Sequence, residues 1–317
     1  MLTRALLFLL ALLCAAATQA QTWPTKPVRL VVSLPPGTPP DQISRALAPP
    51  LAESLGQPVV VENRVGANGV LALEAVAKSP ADGYTVLYTP GFPIVVGPHL
   101  LKMPIDVERD LIPVVPTARV TSFLVVPAAF PAKTLPEFVA YVRANPGKLN
   151  YGSGGNGSQP HIATAMFARA AKLDVVHVPY KGSTETLAAL LGGQIDFTFD
   201  VGVAIAQVKA GKLRLLAVAS GARSALFPDT PTLGEIGVAA DSSTLHGLYV
   251  PAGTSRAIVE RLNHETVRIM QTPPLRGLLA GLGADLAMGT PDDFAAQQRR
   301  DRERFGAVVR ENGIRAD

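Results

Sequence analysis

Short apolar runs alternate with segments of helical periodicity along most of the chain. Buried-strand patterns occur at 28–34, 59–61 and 84–88, with helical patterns at 41–55 and 68–78. After residue 121 the alternation resumes, with strand patterns at 124–126, 149–151, 175–178, 195–199 and 213–219. Because strands separated by helices are typical of βαβ units, the pattern predicts an α/β fold in which each sheet is mainly parallel and flanked by helices.

The order of these patterns predicts two lobes. Beyond residue 251 the apolar positions have helical spacing to the end of the chain, so two α/β halves are followed by a helical tail. We expect chain crossings near 119–123 and 245–250, with lobe 1 formed by 21–121 and 247–317 and lobe 2 by 122–246. Ligands of open α/β sheets bind outside the carboxyl ends of the strands. The predicted binding site is therefore a cleft between the lobes.

The first twenty residues have the pattern of a secretory signal peptide. Arg4 precedes an apolar run at 5–17, and the small residues Thr18 and Ala20 occupy the positions that a signal peptidase reads. The run is shorter than a bilayer-spanning helix requires. We therefore expect cleavage near Ala20 and export to the periplasm, and the mature chain then lacks the sole cysteine, Cys14.

Composition excludes two classes of protein. The chain is 48% hydrophobic, which excludes intrinsic disorder. The 29 basic and 25 acidic residues leave a net charge of +4, and aromatic residues amount to 6%. Because basic residues form no cluster with interleaved aromatic residues, a nucleic-acid partner is not expected.

The sharpest local motif is the glycine-rich segment at 152–157, a formal G-x-G-x-x-G between a strand and a helix. A dinucleotide site needs an acidic residue about twenty positions later, and Asp174 has that spacing but precedes a strand. A turn that requires positive φ is a second interpretation. We favour a third, in which backbone amides and the hydroxyls of Ser153 and Ser158 bind an anionic group at a helix N-terminus. No cofactor is expected.

Three further loops follow predicted strands and are expected to face the cleft. In the loop at 35–41, Asp41 has the chemistry of a helix N-cap, and the amides of Gly37 and Thr38 are available to a ligand. The other two loops are 88–92 and 179–182, and Lys181 is the only cation among the loops. His161 is a possible donor to an anion, and Asp200 either caps a helix or contacts the ligand.

Catalytic signatures are weak. The chain has no G-x-S-x-G motif, and its five histidines lack the spacing of metal ligands. We therefore expect neither an enzyme nor a metal site. An exported hydrolase that uses Ser153 or Ser158 is the alternative from another functional class.

Several segments together resemble the Bug family, the extracytoplasmic solute receptors of tripartite tricarboxylate transporters. The resemblance covers nearly all of the expected mature chain. It rests on residues 31–41, Val59-Val60-Val61-Glu62-Asn63-Arg64, Ala81-Asp82-Gly83-Tyr84-Thr85, Asn145-Pro146-Gly147-Lys148-Leu149-Asn150-Tyr151, His177-Val178-Pro179-Tyr180-Lys181-Gly182 and Pro251-Ala252-Gly253-Thr254.

The resemblance implies a two-lobed periplasmic binding protein (type II-like) that closes around a small carboxylate, held in part by amides of the first loop. It implies transport, with the membrane subunits of such a transporter as partners; a periplasmic sensor for a signalling protein has the same fold and stays open as an alternative. We expect a monomer. The positions that it assigns to the ligand are Pro36, Gly37, Thr38, Asp41, Ser153, Asn156, Gly157, Ser158, Tyr180, Lys181, Gly182 and Asp200.

The predicted ligand contacts that come from the loops themselves are Thr89, Gly91, Phe92, His161 and His246. Three segments depart from the family pattern. Pro36-Gly37-Thr38 replaces the usual Ala-Gly-Gly, Leu245-His246 replaces a common aromatic pair before Gly247, and Val201-Gly202-Val203 is less polar than usual. The identity of the ligand is therefore not predicted.

Overall fold

The computed structural model describes residues 23–238, 240–311 and 313–315. The expected signal peptide at 1–20 and its cleavage near Ala20 lie outside the described residues. Within the described ranges, no helix combines the length and the apolar character needed to cross a bilayer.

Two sheets organise this part of the chain. The strands are β1 (Val28–Val32), β2 (Val59–Asn63), β3 (Thr85–Thr89), β4 (Leu111–Val120), β5 (Phe123–Pro127), β6 (Asn150–Ser153), β7 (Val176–Pro179), β8 (Phe197–Asp200), β9 (Leu213–Val218), β10 (Thr244–Pro251) and β11 (Asp285–Leu286). The first sheet has the order β11-β4-β10-β3-β1-β2, and the second has the order β7-β6-β8-β5-β9. We call each sheet with its flanking helices a lobe.

Helices cover both faces of each sheet. They are α1 (Pro39–Leu55), α2 (Val70–Ala77), α3 (Phe92–Val95), α4 (Gly97–Leu100), α5 (Leu135–Ala144), α6 (Gln159–Ala171), α7 (Ser183–Leu191), α8 (Ile205–Lys209), α9 (Arg256–Met270), α10 (Pro273–Gly281) and α11 (Pro291–Glu311). Strand β1 shows the layering: Leu30 packs in the core under α1, α9 and α10, whereas Val31 packs in the core under α2, α3 and α11. Neighbouring residues of a strand point to opposite faces, so both faces of the first sheet are buried.

The second sheet is layered in the same way. Leu124 of β5 packs with α5 and α6, and Val125 packs with α7 and α8 on the opposite face. Buried phenylalanines, among them Phe138, Phe167 and Phe197, fill the first of these cores. The α/β fold class is confirmed.

Both sheets are mixed, but in each of them most strands share one direction, as predicted. In the first sheet β1 is parallel to β2 and β3, but β10 is antiparallel to β3 and β4, and β11 is antiparallel to β4. In the second sheet β6 is parallel to β7 and β8, but β5 is antiparallel to β8 and β9. These pairings give β1, β2, β3 and β4 one direction in the first sheet, with β10 and β11 opposed, and leave β5 alone opposed to the other strands of the second sheet.

The chain crosses between the sheets where β4 ends and β5 begins, at Thr121 and Ser122, within the expected 119–123. The return is complete by Thr244, because the whole of β10 pairs with β3 and β4 in the first sheet. The second crossing thus precedes the expected 245–250. Gln159, the first residue of α6, connects both crossings, since its Nε2 donates to the carbonyl oxygens of Val120 and Ser242 at 3.0 Å each.

Helix α1 begins earlier than expected. Thr38 is its N-cap and Pro39 and Pro40 are its first two residues, so Asp41 is not the N-cap. Proline is favoured at the start of a helix because the missing N–H has no partner there. Asp41 instead accepts from the amide of Gly37, at 2.9 Å, and ties the preceding loop to the helix.

Candidate functional site

The loops at the carboxyl ends of the parallel strands of both lobes meet around two adjacent cavities. The inner cavity, of about 50 Å³, is lined by Leu34, Thr38, Pro39, Pro40, Asn68, Pro90, Phe92, Pro93, Gly154, Ser158, Gln159, Pro160, Gly182, Ser183, Val201 and His246. The outer cavity, of about 480 Å³, is lined by Ser33, Leu34, Val65, Gly66, Ala67, Asn68, Gly69, Leu101, Gly154, Gly155, Asn156, Tyr180 and Lys181. Leu34, Asn68 and Gly154 line both cavities. This is the position that α/β sheets favour for a ligand.

The two lobes touch across the cleft around these cavities. Asn68 of the first lobe donates to the carbonyl oxygen of Asn156 at 3.4 Å. A Cβ on Gly157 would lie 2.9 Å from Cδ1 of Leu100, and one on Gly182 would lie 3.2 Å from Cγ of Pro35. The loops of the second lobe thus approach the first lobe at glycines, where an added side chain would require the facing residue to shift.

Three helices begin on the inner cavity. The N-caps of α1, α6 and α7 are Thr38, Ser158 and Gly182, and the lining also includes the first residue of each helix. Each helix N-terminus carries about half a positive elementary charge and presents amides that lack partners inside the helix. The inner cavity is therefore electropositive without any lysine or arginine in its described lining.

Each of these helices holds its loop in the same way. The side chain of the third helical residue accepts a hydrogen bond from the amide that precedes the N-cap. The pairs are Gly37 with Asp41 at 2.9 Å, Gly157 with Nδ1 of His161 at 3.0 Å, and Lys181 with Glu185 at 3.1 Å. This bond fixes the direction in which each loop enters its helix, and so shapes the cavity.

Two buried polar atoms of the inner lining have no hydrogen-bond partner within the described part of the chain. They are Oγ of Ser158 and Nδ1 of His246, in side chains that are 7% and 3% exposed. Burial lowers the pKa of His246 to about 3, so the imidazole is neutral. Both atoms are therefore available to a group bound in the inner cavity.

The amides of the first loop are not available as expected. The Gly37 amide donates to Asp41, and the Thr38 amide donates to the carbonyl oxygen of Pro35 at 3.4 Å. The Thr38 hydroxyl also donates to Pro35, at 2.6 Å. Because proline has no N–H, Pro39 and Pro40 add no donor. Most of the donor capacity facing the inner cavity therefore comes from the second lobe.

The structure brings eight of the predicted site residues to the cavities. Thr38, Phe92, Ser158, Gly182 and His246 line the inner cavity, and Asn156, Tyr180 and Lys181 line the outer one. Nine others line neither: Pro36, Gly37, Asp41, Thr89, Gly91, Ser153, Gly157, His161 and Asp200. Most of these nine support the loops.

Asp41 is a buried support of this kind. It accepts from Gly37, Arg45 and Asn63 at 2.9 Å each. Burial acts to raise its pKa, but the hydrogen bonds from Arg45, Gly37 and Asn63 outweigh burial, so the pKa is lowered. At the end of β3, the hydroxyl oxygens of Thr89 and Ser33 form a hydrogen bond of 2.8 Å.

His161 belongs to a stack of aromatic rings beneath the glycine-rich loop, and the Ser153 hydroxyl contacts one of these rings. The His161 and His177 rings lie 4.2 Å apart, and Tyr151 stacks on His177 at 4.8 Å. Oγ of Ser153 lies 2.6 Å from Nε2 of His177. Ser153 is fully buried and lines neither cavity, so it is not placed as a nucleophile.

The glycine-rich loop has the positive φ angles that its composition predicts, with φ of 109° at Gly155 and 74° at Gly157. It does not form a dinucleotide site with Asp174. Asp174 lies before β7, and β7 runs parallel to β6, so Asp174 is at the opposite edge of the sheet from the loop that follows β6.

Several polar lining residues, notably Asn68, Gln159 and Ser183, are not among the predicted site residues. Asn68 follows β2 in a short 3-10 turn and has a φ of 51°, a conformation that asparagine tolerates better than most residues. The Asn-Gly pair at 68–69, soon after a strand, was the signal available for it.

Asp200 is buried at the end of β8 and accepts from the amides of Gly202 at 2.7 Å and Ala204 at 3.0 Å. It therefore supports the segment that contains Val201, one of the lining residues. Burial raises its pKa to about 6, against the effect of the amides, from an ordinary value of 3.8.

This raised pKa predicts a pH-dependent contribution to stability. The contribution is complete below about pH 4 and is lost as the pH rises through 6, because folding favours the protonated carboxyl. The shift corresponds to about 3 kcal/mol. Asp200→Asn removes the titration, so urea unfolding from pH 4 to 7.5 will show the variant gaining about that much relative to the parent. Asp229→Asn, at an exposed position of the same lobe, is the control. Equal pH slopes for Asp200→Asn and the parent would contradict the assignment.

Two facing lobes, with a ligand-sized space where their strands end, define the class of two-lobed periplasmic binding proteins. Residues 43–314 match the family model described as the tripartite tricarboxylate transporter family receptor. The chain belongs to this family, as its resemblance to Bug receptors implied.

Individual relatives are similar to this protein in sequence or structure over nearly the whole chain. Protein BugT of Bordetella pertussis (strain Tohama I) is 35% identical over 305 residues, which are 95% of this chain and 94% of BugT. The structure of Rpa4515 of R. palustris with adipate has a TM-score of 0.89 and 31% identity, over 92% of this chain and 99% of that one. MatC from Rhodopseudomonas palustris with bound malate has a TM-score of 0.85 and 30% identity, over 90% of this chain and 100% of that one.

Proposed function

We propose that the protein captures a small carboxylic acid in the inner cavity by closure of its two lobes. The observation that carries the proposal is the convergence of α1, α6 and α7 on one cavity that contains the unpartnered hydroxyl of Ser158. An acid group there accepts from the hydroxyl and from helix N-terminal amides, and its negative charge faces three positive helix ends.

Two proteins of similar structure support a carboxylate as the ligand. Rpa4515 was solved with adipate and MatC with malate, and each structure superposes on about nine-tenths of this chain. Adipate and malate are both dicarboxylates. In this chain a second acid group would extend into the outer cavity, where Lys181 is the only charged residue of the described lining.

The biological role that follows is delivery of the acid to the membrane subunits of a tripartite tricarboxylate transporter, after export and cleavage near Ala20. A receptor that presents its ligand to a signalling partner remains the second candidate in the same class. A hydrolase is disfavoured, because Ser153 is fully buried and Ser158 has no histidine among its hydrogen-bond partners in the described residues.

The test is a thermal-shift panel of adipate, malate, succinate, glutarate, benzoate and 3-phenylpropanoate, followed by calorimetry and by small-angle scattering. At about 100 times its dissociation constant an acid adds about 2.7 kcal/mol to the free energy of unfolding. We expect at least one acid to bind, to be recovered unchanged and to reduce the radius of gyration. A panel in which no acid raises the unfolding temperature, or in which the bound acid is consumed, contradicts the proposal.

A further inference from the structure

The first turn of α6 lies between the inner cavity and the two chain crossings. Its N-cap, Ser158, and its first residue, Gln159, both line the cavity. The backbone amide of Gln159 has no partner inside the helix, because the first amides of any helix lack one. The side chain of the same residue donates through Nε2 to the carbonyl oxygens of Val120 and Ser242, at 3.0 Å each. One residue therefore connects the cavity with both crossings.

The two hydrogen bonds of Gln159 join the lobes. Val120 ends β4 and is opposite Thr244 of β10 in the first sheet, whereas α6 packs on the second sheet. Ser242 lies in the second crossing, and its hydroxyl donates to Oγ of Ser122 in the first crossing at 3.1 Å. A rotation of one lobe against the other changes the distance from Nε2 to these carbonyl oxygens. The two bonds therefore favour the arrangement of lobes in which both are made.

The apolar side chains of α6 also reach both lobes. Ala163 packs in the core of the second lobe. The neighbouring residue Ile162 is fully buried and packs in the core of the first lobe beneath α11, which contains Phe92 and Phe305. Because close-packed interiors transmit displacement, a shift at the N-terminus of α6 is felt in both cores.

Arg304 of α11 holds the second crossing from the first lobe. Its Nη1 donates to the carbonyl oxygen of Asp241 at 2.9 Å, and its Nη2 donates to that of Ser243 at 3.1 Å. Three consecutive carbonyl groups, at 241–243, thus each accept from a side chain, and Gln159 supplies the middle bond. Gln159 therefore joins α6 to a segment that the first lobe holds in place.

We propose that Gln159 is a positioning residue that couples occupation of the inner cavity to closure of the lobes. This inference rests on the proposed function, since it assumes that an acid group binds at the N-terminus of α6. A bound acid holds the first turn of α6 where Nε2 reaches Val120 and Ser242. The two hydrogen bonds then stabilise the closed arrangement. Because the acid binds that arrangement preferentially, its affinity includes their contribution.

Gln159→Met tests the coupling, because methionine has nearly the same shape as glutamine and lacks the donor. We expect the tightest acid of the panel to bind at least tenfold more weakly in calorimetry. At about 100 times the variant's own dissociation constant, small-angle scattering will show less than half of the parent's decrease in radius of gyration. A full decrease at saturation overturns the inference, because a residue that only contacts the acid lowers affinity without changing closure.

Asn263→Leu is the matched control. Nδ2 of Asn263 donates to the carbonyl oxygens of Val114 and Gly289, at 2.8 and 2.9 Å, so it makes a similar pair of bonds within the first lobe alone. We expect this variant to unfold at a lower temperature, to keep its affinity within twofold of the parent and to compact fully. Equal losses of affinity and compaction in Asn263→Leu and Gln159→Met overturn the inference, because general destabilisation then explains both.

Arg304→Met tests the same coupling without altering a residue of either cavity. It releases the second crossing from the first lobe, and we expect it to reduce compaction at saturating acid even if Gln159→Met does not fold. Compaction equal to that of the parent overturns the inference and leaves the proposed function intact. If no acid of the panel binds the parent protein, both the proposed function and this inference are overturned.

Discussion

Replacing Gly157 by valine will abolish binding of carboxylic acids while the protein stays folded. Gly157 has a φ of 74°, and its Cβ position lies 2.9 Å from Cδ1 of Leu100 on the other lobe. A β-branched side chain is strained in this conformation and also forces the facing Leu100 side chain to move where the lobes meet. We expect at least a 100-fold loss of affinity, or about 2.7 kcal/mol, measured by calorimetry with the tightest acid of the panel.

Gly193 provides the matched control. It lies in the same lobe with a φ of 69°, but no atom lies within 4 Å of its Cβ position. Gly193→Val therefore imposes comparable backbone strain without touching the cleft, and its affinity will equal that of the parent. If the two valine variants bind alike, the close approach at Gly157 has no role in ligand binding and the loop is only a turn.

Replacing Ser158 by alanine will weaken acid binding ten- to a hundredfold. Its hydroxyl is buried in the inner cavity and has no partner within the described residues, so it is available to the acid group. A hydrogen bond to a charged group contributes about 1.5–3 kcal/mol. Calorimetry on the variant measures the loss, and the small volume change at a helix N-cap leaves the cavity otherwise intact.

Thr38→Val is the informative comparison for Ser158. The Thr38 hydroxyl also lines the inner cavity, but its hydrogen is already donated to the carbonyl oxygen of Pro35. Its removal will lower the unfolding temperature and affect affinity less than Ser158→Ala. A larger loss of affinity for Thr38→Val would move the anchor of the acid group from the second lobe to the first.

Elements with strong apolar patterns were predictable from sequence, and β4 was not. Its stretch Leu111-Ile112-Pro113-Val114-Val115-Pro116 contains two prolines, which normally argue against a strand. They are tolerated because the two-residue strand β11 leaves most of one edge of β4 unpaired. The opposed directions of β5 and β10 were also not predicted, because the direction of a strand depends on which lobe it joins.

The site was predictable at the level of loops and much less at the level of atoms. Loops that follow parallel strands meet at one edge, so Ser158, Gly182 and Lys181 reach the cavities as expected. Asp41 and Asp200 do not, because each carboxylate is held by nearby amides. Local hydrogen bonds of this kind decide whether a polar side chain faces a ligand, and the sequence alone does not resolve that competition.

In the proposed function, helix N-termini and a buried hydroxyl recognise the negative charge of the acid group. The most direct measurement is calorimetry of the parent protein at pH 7.5 with the tightest acid of the panel and with its primary amide. The amide has nearly the same shape but no charge, and it adds two N–H donors that face other donors in the inner cavity. We expect the amide to bind at least 100-fold more weakly than the acid. Equal affinities for the acid and the amide would contradict it.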